Sequence, residues 1–474
     1  MRLLGLLLLG CAWLRAAEPV PDARRGVYAV WLAPGQDAAD PFVRGGQAVA
    51  QWRDVEPREG QYDFSLLDRQ LEAMEKRRRA ATVQINGNLH PEWMFSRVPY
   101  IEKKLSPQVR DARGTLAYWH PVYRQAYRRM IQAYGQHLRS SPLRDTVLGV
   151  RLNFNALGTE HLEVPEGDRA PERWTVPQST PAAEAWTHAV AADYRREVVD
   201  NFVESFLPDV RVFLRNNMAA EMADALEDGR LALFHTSSEM EPRPGSSAQY
   251  EAFFRYCRSG KTVCYAEPWA DAWGNHGGMK DPRWCGPEQF NYWRVLADLN
   301  CGVSFLAFYG ADLKHSAEPE FRATFEFAAR YAAHHASPTH APGAWVALRE
   351  GNGLKGDYTF LMQRSGEMAA VEKAGPADQR FGAWARVLHG GRTARFHLDP
   401  EFAASLKSDA TVNVTYLDEG RGSFTLECGG RKQTVQLERS GRWQTAGWKV
   451  DASGGHIAVK AAGDITLHMV EVRR

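Results

Sequence analysis

Thr262-Val263-Cys264-Tyr265-Ala266-Glu267 is an apolar run that stops at a carboxylate. It is too short for a buried helix and has the length of a strand covered on both faces. Working outward, residues 27–32, 48–52, 81–85, 147–154, 210–214, 231–235 and 302–309 have the same character, rich in Val, Leu or Phe. Between them lie amphipathic stretches at 64–78, 123–138, 186–207, 247–257 and 287–299. In the first, Leu67, Leu71 and Met74 recur at helical spacing. Strands alternating with helices in this number predict the α/β class, a (β/α)8 TIM barrel over residues 26–335. A doubly wound open sheet is the competing arrangement, because residues 33–46 are rich in Pro, Gly and Asp and show no helix. No G-x-G-x-x-G fingerprint follows any of the strands.

The pattern changes at Ser337-Pro338-Thr339-His340-Ala341-Pro342-Gly343, a linker composition. Short alternating segments follow at 345–348, 358–362, 393–398, 411–416, 423–427, 434–437, 456–459 and 465–472. They predict a C-terminal β-sandwich over 343–474.

The whole chain has 474 residues, 58 Lys+Arg against 57 Asp+Glu, and 44% hydrophobic residues. This excludes a disordered, collagen-like or small disulfide-scaffold protein and gives no electrostatic reason to expect a nucleic-acid partner. The 15 Trp residues are many for this length, and flat aromatic faces suit sugar rings. Arg2, the run Leu3-Leu4-Gly5-Leu6-Leu7-Leu8-Leu9 and the small residues Ala16 and Ala17 predict a signal peptide over 1–16 and a secreted or periplasmic protein. Leu8-Leu9-Gly10-Cys11 is a loose lipoprotein pattern, so anchoring at Cys11 is the alternative. No later stretch is long and apolar enough for a transmembrane segment. Cys257 and Cys264 flank a short turn and can bridge across it. The absence of C-x-x-C or H-E-x-x-H spacing argues for no metal and no cofactor.

A barrel of this type carries its active site at the carboxyl ends of the strands. There the chain places Trp52, Arg53 and Asp54; then Asn86, Asn88 and His90; Asn153, Asn155 and Glu160; Arg215, Asn216 and Asn217; His235, Ser238, Glu239 and Glu241; Glu267, Trp269, Asp271 and Trp273; and Tyr309 and Asp312. Such a ring of hydrogen-bonding groups suits a hydroxyl-rich ligand. Glu160 and Glu267, after the fourth and seventh strands, are the candidate catalytic pair. Two carboxyl groups about 5–5.5 Å apart are the machinery of a retaining glycosidase. Candidate substrate contacts are Arg53, Asn86, His90, Trp93, Asn155, His235, Glu239, Trp269, Trp273 and Tyr309. Glu239 and Glu241 compete with Glu160 as proton donor if the strand count shifts by one.

Gln51-Trp52-Arg53-Asp54-Val55-Glu56-Pro57-Arg58-Glu59-Gly60-Gln61-Tyr62-Asp63-Phe64 resembles the W…EP-x-x-G-x-Y-D-F segment of clan A glycoside hydrolases, such as the family 42 β-galactosidases and agar-degrading relatives. The resemblance implies a retaining mechanism, with the acid/base after the fourth strand and the nucleophile after the seventh, which are the places of Glu160 and Glu267. Most clan members have Asn directly before the acid/base. Here Thr159 stands there and the nearest Asn is Asn155, which makes the chain a divergent member. The expectation is a secreted enzyme cleaving β-glycosidic, β-galactosidic above all, bonds of a poly- or oligosaccharide. A barrel-shaped carbohydrate-binding protein without catalysis is the alternative, and 412–418 with 443–448 of the sandwich are a further candidate sugar site.

Overall fold

The computed structural model describes residues 20–21, 23–30, 41–215, 222–236, 251–268, 270–274, 286–349, 356–372, 374–376, 378–382, 384–407 and 409–474. Eight parallel strands form its first half: β1 Gly26–Val30, β2 Val43–Gln51, β3 Ala80–Asn86, β4 Val147–Arg151, β5 Val212–Arg215, β6 Leu231–Thr236, β7 Cys264–Glu267 and β8 Phe305–Tyr309. They pair in sequential order, and β8 returns to β1 with Gly26 opposite Phe305, so the sheet is a closed barrel and not an open one.

Helices α1 Ser65–Glu75, α2 Pro121–Ser140, α3 His188–Phe206, α4 Pro287–Asn300 and α5 Pro319–Tyr331 pack outside the strands. Their starts follow local chemistry. Pro opens α2, α4 and α5, where its missing N–H is not needed. The Thr187 hydroxyl accepts from the Val190 N–H at the start of α3. Helix α1 buries Leu67, Leu71 and Met74, the expected stripe.

The lumen is filled by aromatic rings: Tyr28, Phe213, Phe234, Tyr265 and Phe305 belong to one buried cluster. Tyr28 meets Phe305 edge-on, with centroids 5.5 Å apart at 81°. Gly149 makes room for this filling, because a Cβ there would lie 2.6 Å from the Phe213 ring. On β4 the pairing with β3 slips by one residue: Ala81 faces Val147 but Thr82 faces Gly149. The extra residue, Leu148, is a bulge. It changes the phase of the strand, so Leu148 and Arg151, three apart, both reach the lumen.

The C-terminal part is a seven-stranded and a five-stranded antiparallel sheet, the expected sandwich. Four of its strands escape the sequence reading: Met362–Ser365, Ala369–Glu372, Trp384–Leu388 and Trp443–Val450. The segment read as one strand at 358–362 is broken at Leu361, whose φ is +51°. Met362–Ser365 has a single apolar residue, and Trp443–Val450 is exposed at Gln444, Thr445, Gly447 and Lys449.

The two parts share one continuous core. Trp293 of α4 meets Trp384 edge-on at 4.7 Å, and the Tyr292 hydroxyl lies 2.7 Å from His468 Nε2. The Thr359 N–H donates to Asn300 Oδ1 at 2.9 Å. Cys257 and Cys264 are disulfide-bonded, with Cα atoms 6.0 Å apart.

Candidate active site

Side chains two apart on a strand share a face. Tyr265 is in the lumen cluster, so Glu267 faces the lumen at the end of β7; likewise Arg215 follows Phe213 on β5. Glu267 is buried and paired. Arg151 Nη1 donates to its Oε2 at 2.8 Å and Gln47 Nε2 donates to the same oxygen at 2.7 Å. Oε1 makes no hydrogen bond among the described residues. The Arg151 guanidinium lies over the rings of Phe234, at 4.1 Å, and Tyr265, at 4.5 Å. A buried ion is costly unless paired, and this one has an ionic partner, a neutral donor and two aromatic faces beside that partner.

Glu160 lies in the loop after β4. It is 23% exposed and its Oε2 is 3.4 Å from Arg215 Nη2. The Thr159 hydroxyl also bonds this oxygen. Burial raises the affinity of Glu160 for a proton. Arg215 and the hydrogen bonds of Thr159 and Gln108 act against it and prevail, so the carboxyl is held below the usual carboxylate range. Arg215 feels both acids: burial lowers its own pKa, and the charges of Glu160 and Glu267 oppose that. The two candidate carboxylates therefore act on one guanidinium. Glu160 and Arg215 open onto a cleft of about 670 Å³, whose wall also includes Phe154, Leu157, His161, Glu163, Trp186, His188 and Arg195. Glu163 is engaged by Arg169, 3.1 Å away.

The β3–β4 side differs from the expected one. Asn155 is fully buried, with its Oδ1 accepting from the Gly87 N–H and its Nδ2 donating to the Ile85 carbonyl, both at 2.8 Å. Its φ of +51° is in the left-handed region that Asn tolerates. This corrects its assignment as a sugar ligand, because its amide is spent holding backbone. His90 is corrected for the same reason. It is buried between Asp111, 2.6 Å from Nδ1, and Tyr123, whose hydroxyl is 2.9 Å from Nε2. Asn86 is buried with its Oδ1 accepting from Asn153 Nδ2 at 2.8 Å.

Among the aromatics, Trp93 packs half-buried against the main core and is not in the wall of the cleft. Trp273 is 40% exposed and stacks on Phe321, with centroids 5.6 Å apart at 5°. Its short turn is tied to the end of β8, because the Ala272 N–H donates to Asp312 Oδ1 at 2.8 Å. Tyr309 closes β8, partly buried against the lumen cluster, and Arg53 is exposed at the end of β2. Glu239, Glu241 and Trp269 lie outside the described residues, as does the side chain of His235. In the sandwich, Trp443 and Trp448 are buried and Asp418 accepts from the N–H groups of Glu438, Arg439 and Ser440, so this segment is packing and turn structure. Among the described residues no cluster of three His, Cys, Asp or Glu could hold a metal, and no helix is long and apolar enough to cross a membrane.

Gln47 and Arg151 were not legible as site residues. The available signal was a polar side chain inside an apolar strand: Gln47 in β2, and Arg151 between Val150 and Leu152.

Comparison with known proteins adds a partial match. The family model Glyco_hydro_42, described as beta-galactosidase, matches residues 46–148. No curated protein matches the chain. Among solved structures, the catalytic domain of a β-amylase from Paenibacillus polymyxa is 11% identical, covering 67% of this chain and 100% of that one, with a TM-score of 0.42. A β-galactosidase from Rahnella sp. R3 is 14% identical over 66% of this chain and 57% of its own, with a TM-score of 0.38. A xylanase from Paenibacillus barcinonensis is 13% identical over 61% and 84%, with a TM-score of 0.34. From β2 to the start of β4, the stretch holding the segment at 51–64, the chain thus resembles the family 42 glycoside hydrolases.

Proposed function

We propose that the chain is a retaining β-glycoside hydrolase, exported by its residues 1–16, with 26–335 as the catalytic unit and β-galactosides as the first substrate class to examine. The observation that carries this is Glu267: a lumen-facing carboxylate at the end of β7, ion-paired through Oε2, with no hydrogen bond to Oε1 among the described residues. Attack of a carboxylate oxygen on the anomeric carbon forms a glycosyl ester as the C1–O bond to the leaving group breaks. Glu160 would give its proton to the leaving oxygen, then take one from the water that hydrolyses the ester at C1. Arg151 and Gln47 hold the nucleophile in place through the cycle.

The family resemblance over residues 46–148 and the position of Glu267 at the end of β7, with Glu160 in the loop after β4, support this reading. A second reading, a sugar-binding barrel without turnover, is favoured by one observation: Arg215 and Thr159 keep Glu160 short of a proton, while an acid catalyst must carry one. Hydrolysis of aryl β-glycosides separates the two. Under the proposal, Glu267→Ala is inactive and added azide restores turnover, giving a glycosyl azide. Sugar binding without hydrolysis by the unaltered chain would establish the second reading. Full activity of Glu267→Ala without azide would contradict the first.

A further inference from the structure

Glu160 follows a turn whose last residue, Thr159, is held by a side chain from another loop. Gln108 lies between β3 and α2. Its Oε1 accepts from the Thr159 N–H at 2.9 Å, and the Thr159 hydroxyl lies 2.5 Å from the same atom. A backbone N–H can only donate, so the atom facing it is the amide oxygen and the amide nitrogen points elsewhere. Gln108 also hydrogen-bonds Glu160. Ionised carboxylate oxygens only accept, so the amide nitrogen is the donor there. We propose that Gln108 is a positioning residue for the acid/base: one end of its amide grips Thr159, the other grips Glu160, and together they keep the carboxyl in the wall of the cleft.

Three observations carry this inference, which rests on the glycosidase reading above and goes beyond it. First, Gln108 is itself fixed: its N–H donates to Ser106 Oγ at 3.0 Å and its carbonyl accepts from Asn88 Nδ2 at 2.8 Å. Second, the turn before Glu160 closes without the amide nitrogen of Gln108. The Thr159 carbonyl accepts from the N–H groups of Phe154 and Asn155, both at 2.9 Å. The nitrogen has no part in that closure, and its partner is the carboxylate. Third, the two loops touch at Gly158. Its φ is +105°, and a Cβ there would lie 2.3 Å from Gln108 Cβ, so glycine is what lets Gln108 come within reach. A neutral donor suits this work. Arg215 Nη2 already places a positive charge 3.4 Å from Glu160 Oε2, and a second cation would oppose protonation further. The amide sets the direction of the carboxyl and adds no charge.

Gln108→Leu and Gln108→Glu test this on the full chain, with phenyl and dinitrophenyl β-galactosides as substrates. The Leu variant loses both ends of the grip. Its kcat/KM should fall about 10- to 100-fold for the phenyl galactoside, the scale of a misplaced catalytic group. The loss should be far smaller for the dinitrophenyl one, whose leaving group departs without a proton. The Glu variant keeps an acceptor for the Thr159 N–H and sets a second negative charge beside Glu160, which raises the proton affinity of the acid. The alkaline limb of its kcat/KM, which reports the acid in the free enzyme, should therefore move to higher pH. The other charges around Glu160 stay as they are: Arg215 from β5, His161 next in the chain, and Glu163, His188 and Arg195 in the wall of the cleft. A role in packing alone would lower kcat/KM alike for both leaving groups and leave the limb in place. Denaturant titration shows whether each variant is folded, and if Gln108→Leu is not, the limb of Gln108→Glu decides alone. An unmoved limb in Gln108→Glu, or equal losses on both substrates in Gln108→Leu, would overturn this inference and leave the glycosidase reading intact. Hydrolysis of neither substrate by the unaltered chain would overturn both.

Discussion

From β2 to β4 the polar side chains at the barrel mouth are tied to backbone and to one another, whereas from β4 to β7 they are tied in ion pairs. On the first side, Asn155 bridges Gly87 and Ile85, Asn153 bonds Asn86, and His90 is clamped by Asp111 and Tyr123. On the second, Arg151 and Arg215 face Glu267 and Glu160. Amide bonds to the backbone fix the loops and leave nothing for a ligand. Ion pairs hold the two carboxylates at the mouth. Amides and an imidazole therefore build a wall on one side, and Arg with Glu forms the candidate site on the other.

The largest expected effect that would break this contrast is at Glu267. Its replacement by Ala should cut kcat by roughly 10⁴-fold or more, in the range of lost nucleophiles. It should also destabilise the fold by about 3–5 kcal/mol, because Arg151 is left buried without its counter-ion. Denaturant titration beside kinetics separates the two effects. An active, equally stable variant would move the chemistry away from this side.

Asn155→Ala sharpens the comparison from the other side. It removes two buried hydrogen bonds and leaves a left-handed residue without its amide, costing about 1–3 kcal/mol. Below its unfolding temperature kcat and KM should match the unaltered chain. A KM raised more than ten-fold with unchanged stability would make Asn155 a ligand after all.

A neutral, buried group at the seam between barrel and sandwich extends the wall logic to pH. Burial lowers the pKa of His468 to about 3. The unfolded chain binds that proton near the ordinary value of about 6.5, so the folded state loses stability as pH falls from there toward 3. Thermal unfolding followed between pH 7 and 4 should show the decline, and His468→Gln should flatten it. An unchanged slope in the variant would assign the acid sensitivity to other groups.

The smallest effect is expected at Trp273, exposed at the rim and stacked on Phe321. If it offers a face to sugar, Trp273→Ala should raise KM about three- to ten-fold, corresponding to about 0.5–1.5 kcal/mol, with kcat and stability little changed. An unaltered KM would confine binding to the cleft beside Glu160.

These contrasts explain what was legible in the sequence. The barrel was, because its strands are continuous apolar runs and Glu267 ends one of them two residues after a lumen-facing Tyr265. Arg151 was hidden by the bulge at Leu148, since alternation counted from Leu148 points it outward. Asn155 and His90 were misread because a polar residue at a strand end serves equally to satisfy loop backbone, and the sequence does not reveal which bonds are already made. Arg215 was visible as a strand-end cation, but its place between two carboxylates depends on β4, β5 and β7 meeting at one mouth.

The most direct test of the central claim traps the intermediate. A 2-deoxy-2-fluoro glycoside with a good leaving group slows breakdown of the glycosyl ester more than its formation, so the labelled peptide can be sequenced by mass spectrometry. The account expects one sugar per chain, on Glu267. A label on another carboxylate, or products of inverted configuration with no label, would contradict it.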